Sequence, residues 1–256
     1  MRVRVLGTSS GWPYPRIGCR CPICSSRDPR DKRLRPSILV EGVLVDAGPD
    51  IYHQFVRFNV EEVEAIVLTH AHPDHVLGLN DLTPRKVASM GKATLYASEE
   101  TWNVVCSSRI LSNLGFKWML FPSSSFEVGS LTFTPIRVVH AEGVETFAFK
   151  IEDGSSSLLY APDFLEIPPG GREVCVGVDV AFLDGSTLRT PPSPLRERFG
   201  HLGIYDAVRV ARELGVGRVF FTHIGHSTAP HAVLEEMLRK EGSLFHVAYD
   251  GLELKI

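Results

Sequence analysis

Four potential metal ligands lie within six consecutive positions of this chain. The segment 69–75 reads Thr-His-Ala-His-Pro-Asp-His and contains His70, His72, Asp74 and His75. Neutral imidazole and carboxylate groups are ligands of the borderline divalent metals zinc, manganese, iron and cobalt. Side chains two residues apart point to one side of an extended chain, whereas the last two ligands reach that side only after a turn. This spacing predicts a site for two adjacent metal ions; a solvated, histidine-rich loop is the alternative.

Further ligand candidates follow apolar, strand-like runs, just as the first four follow the run 65–68. They are His140, Asp163 and His223. Loops at strand ends commonly carry active-site residues, so these three are predicted to complete the site. Asp46 also ends such a run, and an Asx-turn residue before Gly48 is the alternative to a role at the site.

The cysteines form a second group with ligand spacing. Cys19, Cys21 and Cys24 read C-x-C-x2-C, and neighbours that close cannot form unstrained disulfides with one another. In a reducing compartment such clustering favours metal binding, and a structural zinc ion takes four ligands. His226, three residues after His223, is the leading candidate for the fourth. We therefore predict a small zinc-binding loop at about 17–27, with unliganded thiols as the alternative.

The two remaining cysteines stand alone in the sequence. Cys106 lies in a helical pattern and Cys175 in a strand-like run. A lone cysteine behaves as a small apolar side chain. Each of the two is therefore predicted to be buried.

Composition limits the class of protein and of partner. The chain has 256 residues, 44% of them hydrophobic, and a formal net charge of −3. It is long enough for a large core, and it has no global basic field to hold a nucleic-acid backbone. No apolar run approaches the ~20 residues of a membrane span, and residues 1–7 alternate like a strand and not like a signal peptide. We expect a cytoplasmic protein that acts on neither membranes nor nucleic acid; a homodimer is left open.

The elements that must position these residues are mostly strands. Strand patterns are predicted at 2–7, 37–41, 43–47, 64–69, 93–97, 117–121, 131–139, 145–151, 157–161, 178–183, 218–222 and 245–249. Helical patterns are predicted at 50–59, 100–114, 203–214 and 230–240, with Gly215 as a C-cap. Strands that outnumber inserted helices indicate an α/β protein with two packed sheets covered by helices. A break at 123–125 separates two halves of similar make-up, and the absence of a linker predicts one domain over 1–256.

Two sets of motifs carry a resemblance to known proteins. The H-x-H-x-D-H run resembles that of the metallo-β-lactamase superfamily, which implies a four-layer αββα sandwich with pseudo-duplicated halves. Gly7-Thr8-Ser9, the cysteine triplet and Thr222-His223-Ile224-Gly225-His226 are similar to motifs of the phosphoribosyl 1,2-cyclic phosphate phosphodiesterases of phosphonate breakdown. This second resemblance spans residues 6–251.

The resemblance implies a role for each candidate at the site. One metal ion would be held by His70, His72 and His140, and the other by Asp74, His75 and His223. Asp163 would bridge the two ions, so that Asp74 and Asp163 serve catalysis through the metals. Asp46 would orient ligands without binding metal itself. The ions would be zinc or manganese, beside one structural zinc ion.

His201 is a candidate general acid, because the phosphodiesterase branch has a histidine at the corresponding place that protonates the leaving alkoxide. It precedes the predicted helix at 203–214, and a helix N-terminus tends to lower the pKa of an imidazole. A neighbouring carboxylate or the substrate phosphate would have to offset that effect. An ordinary helix-start residue is the alternative.

These residues favour a dinuclear-metal phosphodiesterase that hydrolyses a small, cyclic or strained phosphodiester by attack of metal-bound hydroxide. Two alternatives stay open, namely a lactonase or thioesterase of the same superfamily, and a metalloprotein like the B protein of pyrroloquinoline quinone biosynthesis. Transfer-RNA processing is disfavoured, because the sequence has no long basic insertion to hold tRNA. The loop 185–200 carries three arginines that are either substrate-phosphate contacts or solvated charges: Arg189, Arg196 and Arg198.

Overall fold

Strands make up most of the regular structure of the chain. The computed structural model describes residues 1–83, 93–108 and 115–256. In these ranges the strands are β1 (Arg2–Gly7), β2 (Ser37–Val40), β3 (Val43–Val45), β4 (Ala65–Val67), β5 (Thr94–Ala97), β6 (Lys117–Leu120), β7 (Phe126–Val128), β8 (Leu131–Val138), β9 (Thr146–Glu152), β10 (Ser157–Ala161), β11 (Val180–Asp184), β12 (Arg218–Thr222), β13 (Phe245–Val247) and β14 (Glu253–Lys255).

The strands form two sheets with the same internal plan. One sheet has the order β14-β1-β2-β3-β4-β5-β6 and the other the order β13-β12-β11-β10-β9-β8-β7. Each half begins with antiparallel pairs and ends with parallel ones, β3 to β6 in the first sheet and β10 to β13 in the second. The chain passes from one sheet to the other between β6 and β7, at the predicted break. Only β14 returns to the first sheet among the described strands, so the two halves repeat one pattern as predicted.

Helices lie outside the sheets. They are α1 (Ile51–Phe58), α2 (Pro73–Val76), α3 (Glu99–Ser107), α4 (Pro169–Cys175), α5 (Leu195–Phe199), α6 (Ile204–Leu214) and α7 (His231–Glu241), with short 3-10 turns at Pro29–Asp31 and Leu77–Asn80. The described helices are too short and too polar to cross a membrane.

Three apolar clusters hold the layers together. The central cluster joins the sheets and includes Val5 and Val67 of the first and Phe149 and Phe182 of the second. A second cluster packs α6 and α7 on the outer face of the second sheet, and a third packs α1 and α3 on the first. Burying one stripe of each helix and both faces of each sheet is the layered solution expected of such elements. The predicted αββα sandwich is confirmed.

Individual elements show where sequence patterns succeed and fail. The predicted helix at 203–214 is α6, and Gly215 ends it at a φ of 65°, a left-handed conformation that glycine adopts without strain. The helix predicted at 100–114 ends at Ser107, and residues 109–114 lie outside the described ranges. Cys175 is buried as predicted, but it ends helix α4 instead of lying in a strand. The prediction of a buried Cys106 is wrong, because that side chain is exposed on α3.

Candidate metal centre

The predicted ligands meet where the strands of both sheets end. His70 follows β4, His140 follows β8, Asp163 follows β10 and His223 follows β12. Carboxyl ends of parallel strands share an edge, and a bridge between Ser9 and Ile224 joins the two halves beside it. The site is thus built from loops of both sheets.

Three histidines form one group at this edge. The ring nitrogens of His70, His72 and His140 lie within 4.8 Å of one another, and His140 Nε2 is 3.3 Å from His72 Nδ1. Burial lowers the pKa of all three, that of His140 to about 4. These imidazoles are therefore neutral at pH 7, and a neutral imidazole offers the lone pair that a metal ion needs.

Asp74, His75 and His223 form the adjoining group. His75 Nε2 and His223 Nε2 each lie 3.5 Å from Asp74 Oδ2. Asp163 stands between the groups, with Oδ2 3.2 Å from His75 Nε2 and Oδ1 3.2 Å from His223 Nε2 and 3.9 Å from His140 Nε2. Oδ1 therefore approaches a histidine of each group and Oδ2 a histidine of the second group, which places the carboxylate between the two groups.

The turn predicted after His72 is the short helix α2, which begins at Pro73. Gly48 lets the backbone approach this turn, because a Cβ at position 48 would lie 2.0 Å from the carbonyl oxygen of Asp74. Proline at the first helical position and a close-packed glycine fix the direction of the turn. Asp74 and His75 consequently face the same space as the preceding histidines.

Hydrogen bonds orient the rings from behind. Asp46 Oδ2 lies 2.7 Å from His75 Nδ1, and Thr69 Oγ1 lies 2.9 Å from His70 Nδ1. His140 Nδ1 donates to the carbonyl of Gly200 at 2.8 Å. Each bond occupies Nδ1 and leaves Nε2 facing the site, the usual way in which a protein fixes the tautomer of a ligating histidine.

Two of these residues have unusual backbone conformations. Asp46 has a φ of 63° and His223 a φ of 51°. Non-glycine residues rarely adopt positive φ, at a cost of about 1–3 kcal/mol. Such strain is typical of functional sites. Here it occurs at the ligand candidate His223 and at Asp46, the hydrogen-bond partner of the ligand candidate His75.

The residues present fit divalent cations. His70 Nε2, His75 Nε2 and Asp163 Oδ2 are buried, and none makes a hydrogen bond among the described residues, because the 3.2 Å contact between His75 Nε2 and Asp163 Oδ2 lacks hydrogen-bond geometry. Burial disfavours a charged His75, but the carboxylates of Asp46, Asp74 and Asp163 outweigh it and hold the pKa of His75 well above its usual range. Buried groups of this kind are costly unless paired, and cations would satisfy both the lone pairs and the negative charge.

His201 lies beside this centre and is bound to a buried carboxylate. His201 Nδ1 is 2.6 Å from Asp184 Oδ2, and its ring centroid is 4.9 Å from that of His140 and 5.2 Å from that of His223. Burial opposes protonation, but Asp184, together with Asp163 and Asp74, outweighs burial and raises the pKa of His201 to about 9. Asp184 is thus the neighbouring carboxylate that the sequence left unidentified.

The sequence did not single out Asp184, although it ends β11 as other site residues end or follow their strands. Its side chain is fully buried and also accepts from the backbone N–H of Ser186 at 2.8 Å. The sequence feature that could have identified Asp184 as a site residue is its position directly after the four apolar residues of β11.

The cysteine cluster forms a separate centre on the same side of the molecule. The sulfurs of Cys19, Cys21 and Cys24 lie 3.3, 3.2 and 3.2 Å from His226 Nε2. One ring nitrogen carries at most one proton, so hydrogen bonding cannot account for three sulfurs around it. These distances are close to the roughly 3.5 Å that separates sulfur and nitrogen ligands around a tetrahedral zinc ion. The four residues therefore fit a closed zinc site.

A cleft of about 580 Å³ opens onto the histidine and aspartate groups. Its lining includes His72, Asp74, Asp163, His201 and His223, and extends to His226. The three arginines of loop 185–200 are not part of the lining. Their contacts lie elsewhere: Arg189 stacks on Tyr205, Arg196 pairs with Glu197, and Arg198 lies over Phe199.

The sequence from 42 to 224 matches the family described as the Beta-lactamase superfamily domain. This match contains the strand-end ligands and the H-x-H-x-D-H run. The chain belongs to the metallo-β-lactamase superfamily. Most members of this superfamily are metal-dependent hydrolases. The match stops before His226 and begins after the cysteines, so the second centre is a feature outside the matched segment.

Known proteins resemble the chain at several levels. A crystal structure of a diphosphatase from the PhnP family is 33% identical, covers 100% of this chain and 97% of its own, and has a TM-score of 0.84. The predicted membership of the metallo-β-lactamase superfamily is thereby confirmed. The predicted resemblance to the phosphodiesterase branch is confirmed as well. Coenzyme PQQ synthesis protein B of Methylobacterium radiotolerans is 28% identical over 100% of both sequences. An octanoyltransferase of Porphyromonas gingivalis is 27% identical over 99% of this chain, which spans only 51% of that protein.

Proposed function

We propose that this protein is a dinuclear-metal phosphodiesterase that hydrolyses a small phosphodiester. The observation that carries the proposal is the position of His201, a partly buried imidazole held by the buried Asp184 in the same cleft as two groups of metal-ligand type. Phosphodiester hydrolysis needs activated water, stabilisation of negative charge and a proton for the leaving oxygen. Divalent ions held by the described residues would supply the first two, and His201 would supply the third.

His70, His72 and His140 would hold one divalent ion, Asp74, His75 and His223 the other, and Asp163 both. Zinc and manganese suit this mixture of imidazole and carboxylate ligands. When bound, two such ions activate water and offset the negative charge that develops on the phosphoryl oxygens. The protein's own contribution is to hold the ligands rigidly through Asp46, Thr69 and the Gly200 carbonyl.

His201 supplies the proton for the leaving group. Because Asp184 accepts from Nδ1, the second ring nitrogen is free to act in the cleft. A pKa of about 9 keeps the ring protonated at neutral pH. An alkoxide is a poor leaving group without a proton, and general acids of this kind contribute about 10²–10⁴-fold to rate. This role favours phosphoesters with alkoxide leaving groups over thioesters, whose thiolates leave readily.

The relative described as a diphosphatase supports phosphorus–oxygen cleavage as the reaction class. A structural zinc ion on Cys19, Cys21, Cys24 and His226 would brace the wall of the cleft. We further propose that residues 1–256 act as one domain, because the ligands come from both sheets. The cytoplasmic location and the small-molecule substrate stay predictions from the sequence, and a homodimer stays an open possibility.

A second candidate is a role like that of the coenzyme PQQ synthesis protein, favoured by similarity over the whole of both sequences. Metal content separates the two candidates: one iron per cleft points to oxygen chemistry, whereas two zinc or manganese ions point to hydrolysis.

The test is a substrate panel run on purified protein with metal analysis. It contains bis-p-nitrophenyl phosphate, cyclic nucleotides, a ribosyl cyclic phosphate, lactones and thioesters. We expect turnover of phosphodiesters with two active-site ions per chain. Turnover confined to lactones or thioesters overturns the proposal.

A further inference from the structure

One short segment of the chain carries a candidate ligand of each centre. Residues 222–226 read Thr-His-Ile-Gly-His, so His223 of the metal centre and His226 of the cysteine centre are separated by two residues. The three cysteine sulfurs lie 3.2–3.3 Å from His226 Nε2, whereas His223 Nε2 lies 3.5 Å from Asp74 Oδ2. A displacement of the backbone at either centre therefore reaches the other centre directly.

Residues near the N-terminus hold the backbone of this segment at Ile224. The Ile224 N–H donates to the carbonyl of Thr8 at 2.7 Å. The Ile224 carbonyl accepts from the Ser10 N–H at 3.1 Å and from the Tyr14 hydroxyl at 2.8 Å. Tyr14 is only 4% exposed, so water competes little for its hydroxyl. These bonds fix the residue that directly follows His223, whose positive φ persists only where the surrounding structure holds it.

Tyr14 also lies at the base of the cysteine loop. Its backbone N–H donates to the carbonyl of Arg33 at 2.8 Å, and its carbonyl accepts from the Arg33 N–H at 3.2 Å. The Arg33 side chain is buried and donates to the Thr8 hydroxyl and to the Ala248 carbonyl. Residues 15–32, which contain the three cysteines, thus leave and re-enter the fold at one anchored pair.

Further contacts connect this base with the cysteine centre itself. The Tyr14 ring centroid lies 5.6 Å from that of His226. Two residues after Tyr14, the backbone N–H of Arg16 donates to Cys24 Sγ at 3.3 Å. Zinc held by the cysteine centre would fix the loop and the His226 ring in one arrangement, because a closed site of four ligands orders the segments that supply them.

We propose that Tyr14 is a positioning residue that couples the cysteine centre to the second ligand group of the metal centre, namely Asp74, His75 and His223. Zinc in the cysteine centre raises the affinity of that group for a divalent ion, and by linkage the ion raises the affinity for zinc. The inference rests on the ligand groups of the proposed function. It gives Tyr14 a role towards the ion and none towards the substrate.

Metal affinity in Tyr14→Phe tests the proposal without an activity assay. The substitution removes the hydroxyl and keeps the ring beside His226. Fully zinc-loaded protein is dialysed against buffers of graded chelator strength, and bound zinc is measured by elemental analysis. We expect one ion to bind about 10-fold more weakly than in the wild type, as is typical when a partner of a metal ligand is lost. The Ser10 N–H still holds the Ile224 carbonyl, which limits the loss.

Two further backgrounds assign the weakened ion. In His223→Ala, which removes a ligand of the second group, Tyr14→Phe should weaken none of the remaining ions. In Cys21→Ser, which removes a ligand of the cysteine centre, the second group should already bind weakly, and Tyr14→Phe should add less than about twofold. Tyr205→Phe is the matched control, because it removes a tyrosine hydroxyl on α6 that does not line the cleft. Its ion affinities should equal those of the wild type.

Several outcomes would overturn the proposal. Wild-type ion affinities in Tyr14→Phe, even with a lower Tm, would make Tyr14 a purely structural residue. Release of the cysteine-centre zinc alone would confine its effect to that centre. Equal weakening by Tyr14→Phe with and without His223 would show that the hydroxyl does not act through this ligand. If Cys21→Ser does not fold, the comparison with His223→Ala decides the question.

This test gives its answer whether or not the proposed reaction occurs. If no phosphodiester is hydrolysed but Tyr14→Phe selectively weakens the second group, the function fails and the coupling stands. If diesters are hydrolysed while Tyr14→Phe leaves every ion affinity unchanged, the function stands and the coupling fails.

Discussion

His201 Nδ1 lies 2.6 Å from Asp184 Oδ2, and Asp184 itself is fully buried at the end of β11. A buried carboxylate next to an imidazole favours the charged ring and fixes its orientation. The pair therefore places a protonated ring beside the ligands of both sheets, and it can be tested from either residue.

Replacing His201 should separate leaving groups by their need for a proton. His201→Ala is expected to slow hydrolysis of a diester with an alkoxide leaving group by about 10²–10⁴-fold. p-Nitrophenolate leaves without protonation, so that ester should lose less than about tenfold. Steady-state kcat on the two esters gives the comparison. Equal losses on both would remove the general-acid role.

Replacing Asp184 should move the pH dependence. Activity requires the protonated ring, so it falls as pH rises through the pKa of His201, which Asp184 raises against the opposing effect of burial. Burial lowers the pKa of His201, and Asp184 counteracts that effect. The pKa of His201 should therefore fall in Asp184→Asn, which moves the alkaline limb of the kcat profile to lower pH. Asp179→Asn, which alters an aspartate bound to Ser157 away from the cleft, is the control. An unmoved alkaline limb would contradict this account.

Asp46 should matter for metal binding more than for substrate. Asp46→Asn weakens the bond that orients His75, and such partners of ligands typically contribute 10- to 100-fold to metal affinity. Competition with a chelator measures the change. Asp50→Asn disturbs an ion pair with Arg35 and should leave metal affinity as it is. A normal metal affinity in Asp46→Asn would show that His75 needs no such support.

The cysteine centre predicts a stoichiometric loss of zinc. Cys21→Ser should remove about one zinc ion per chain and lower the Tm, since a structural zinc ion contributes folding free energy. Cys106→Ser is a matched control on an exposed cysteine of α3 outside the cluster. Elemental analysis and thermal unfolding report the two effects. Unchanged zinc content in the Cys21 variant would refute the site.

The buried Asp250, which lies outside both candidate metal centres, should make the stability of the protein depend on pH. Burial raises its pKa from 3.8 to about 6, against hydrogen bonds from the Leu34 backbone and the Thr8 hydroxyl. The folded state therefore holds the proton more tightly than the unfolded chain, and stability is lost as pH rises from about 4 through about 6. Relative to Asp250→Asn, the free energy of unfolding should fall by roughly 3 kcal/mol over that window. If the free energy of unfolding of the wild type and of Asp250→Asn varied with pH in parallel, this role of Asp250 would be excluded.

Local patterns were sufficient to predict that the candidate metal ligands lie close together. His70, His72, Asp74 and His75 are close in sequence, and a strand followed by proline already implies the turn that gathers them. Strands with clear periodicity, such as β8, were located to within one residue. The strands β7 and β14 were missed, because Phe126–Val128 and Glu253–Lys255 lack the longer, mostly apolar runs that marked the equally short β3, β4 and β13.

Distant partners without a motif could not be identified from the sequence. The role of Asp184 is visible only once the loop after α5 places His201 against it. The exposed side of α3 shows the converse: Cys106 is of a type usually buried, yet the helix presents it outward. Tertiary packing, and not the local sequence, determines the surroundings of Asp184 and Cys106.

The position of the candidate metal centre between the two sheets has a consequence for folding. His70 and His75 belong to one sheet, and His140, Asp163 and His223 to the other, so neither half owns a complete set of ligands. If the proposed function is right, divalent ions would be fully coordinated only after the two halves have packed together, and bound ions would then link the two sheets. An incompletely folded chain would lack part of the proposed ligand set, so the proposed activity would belong to the fully folded protein alone.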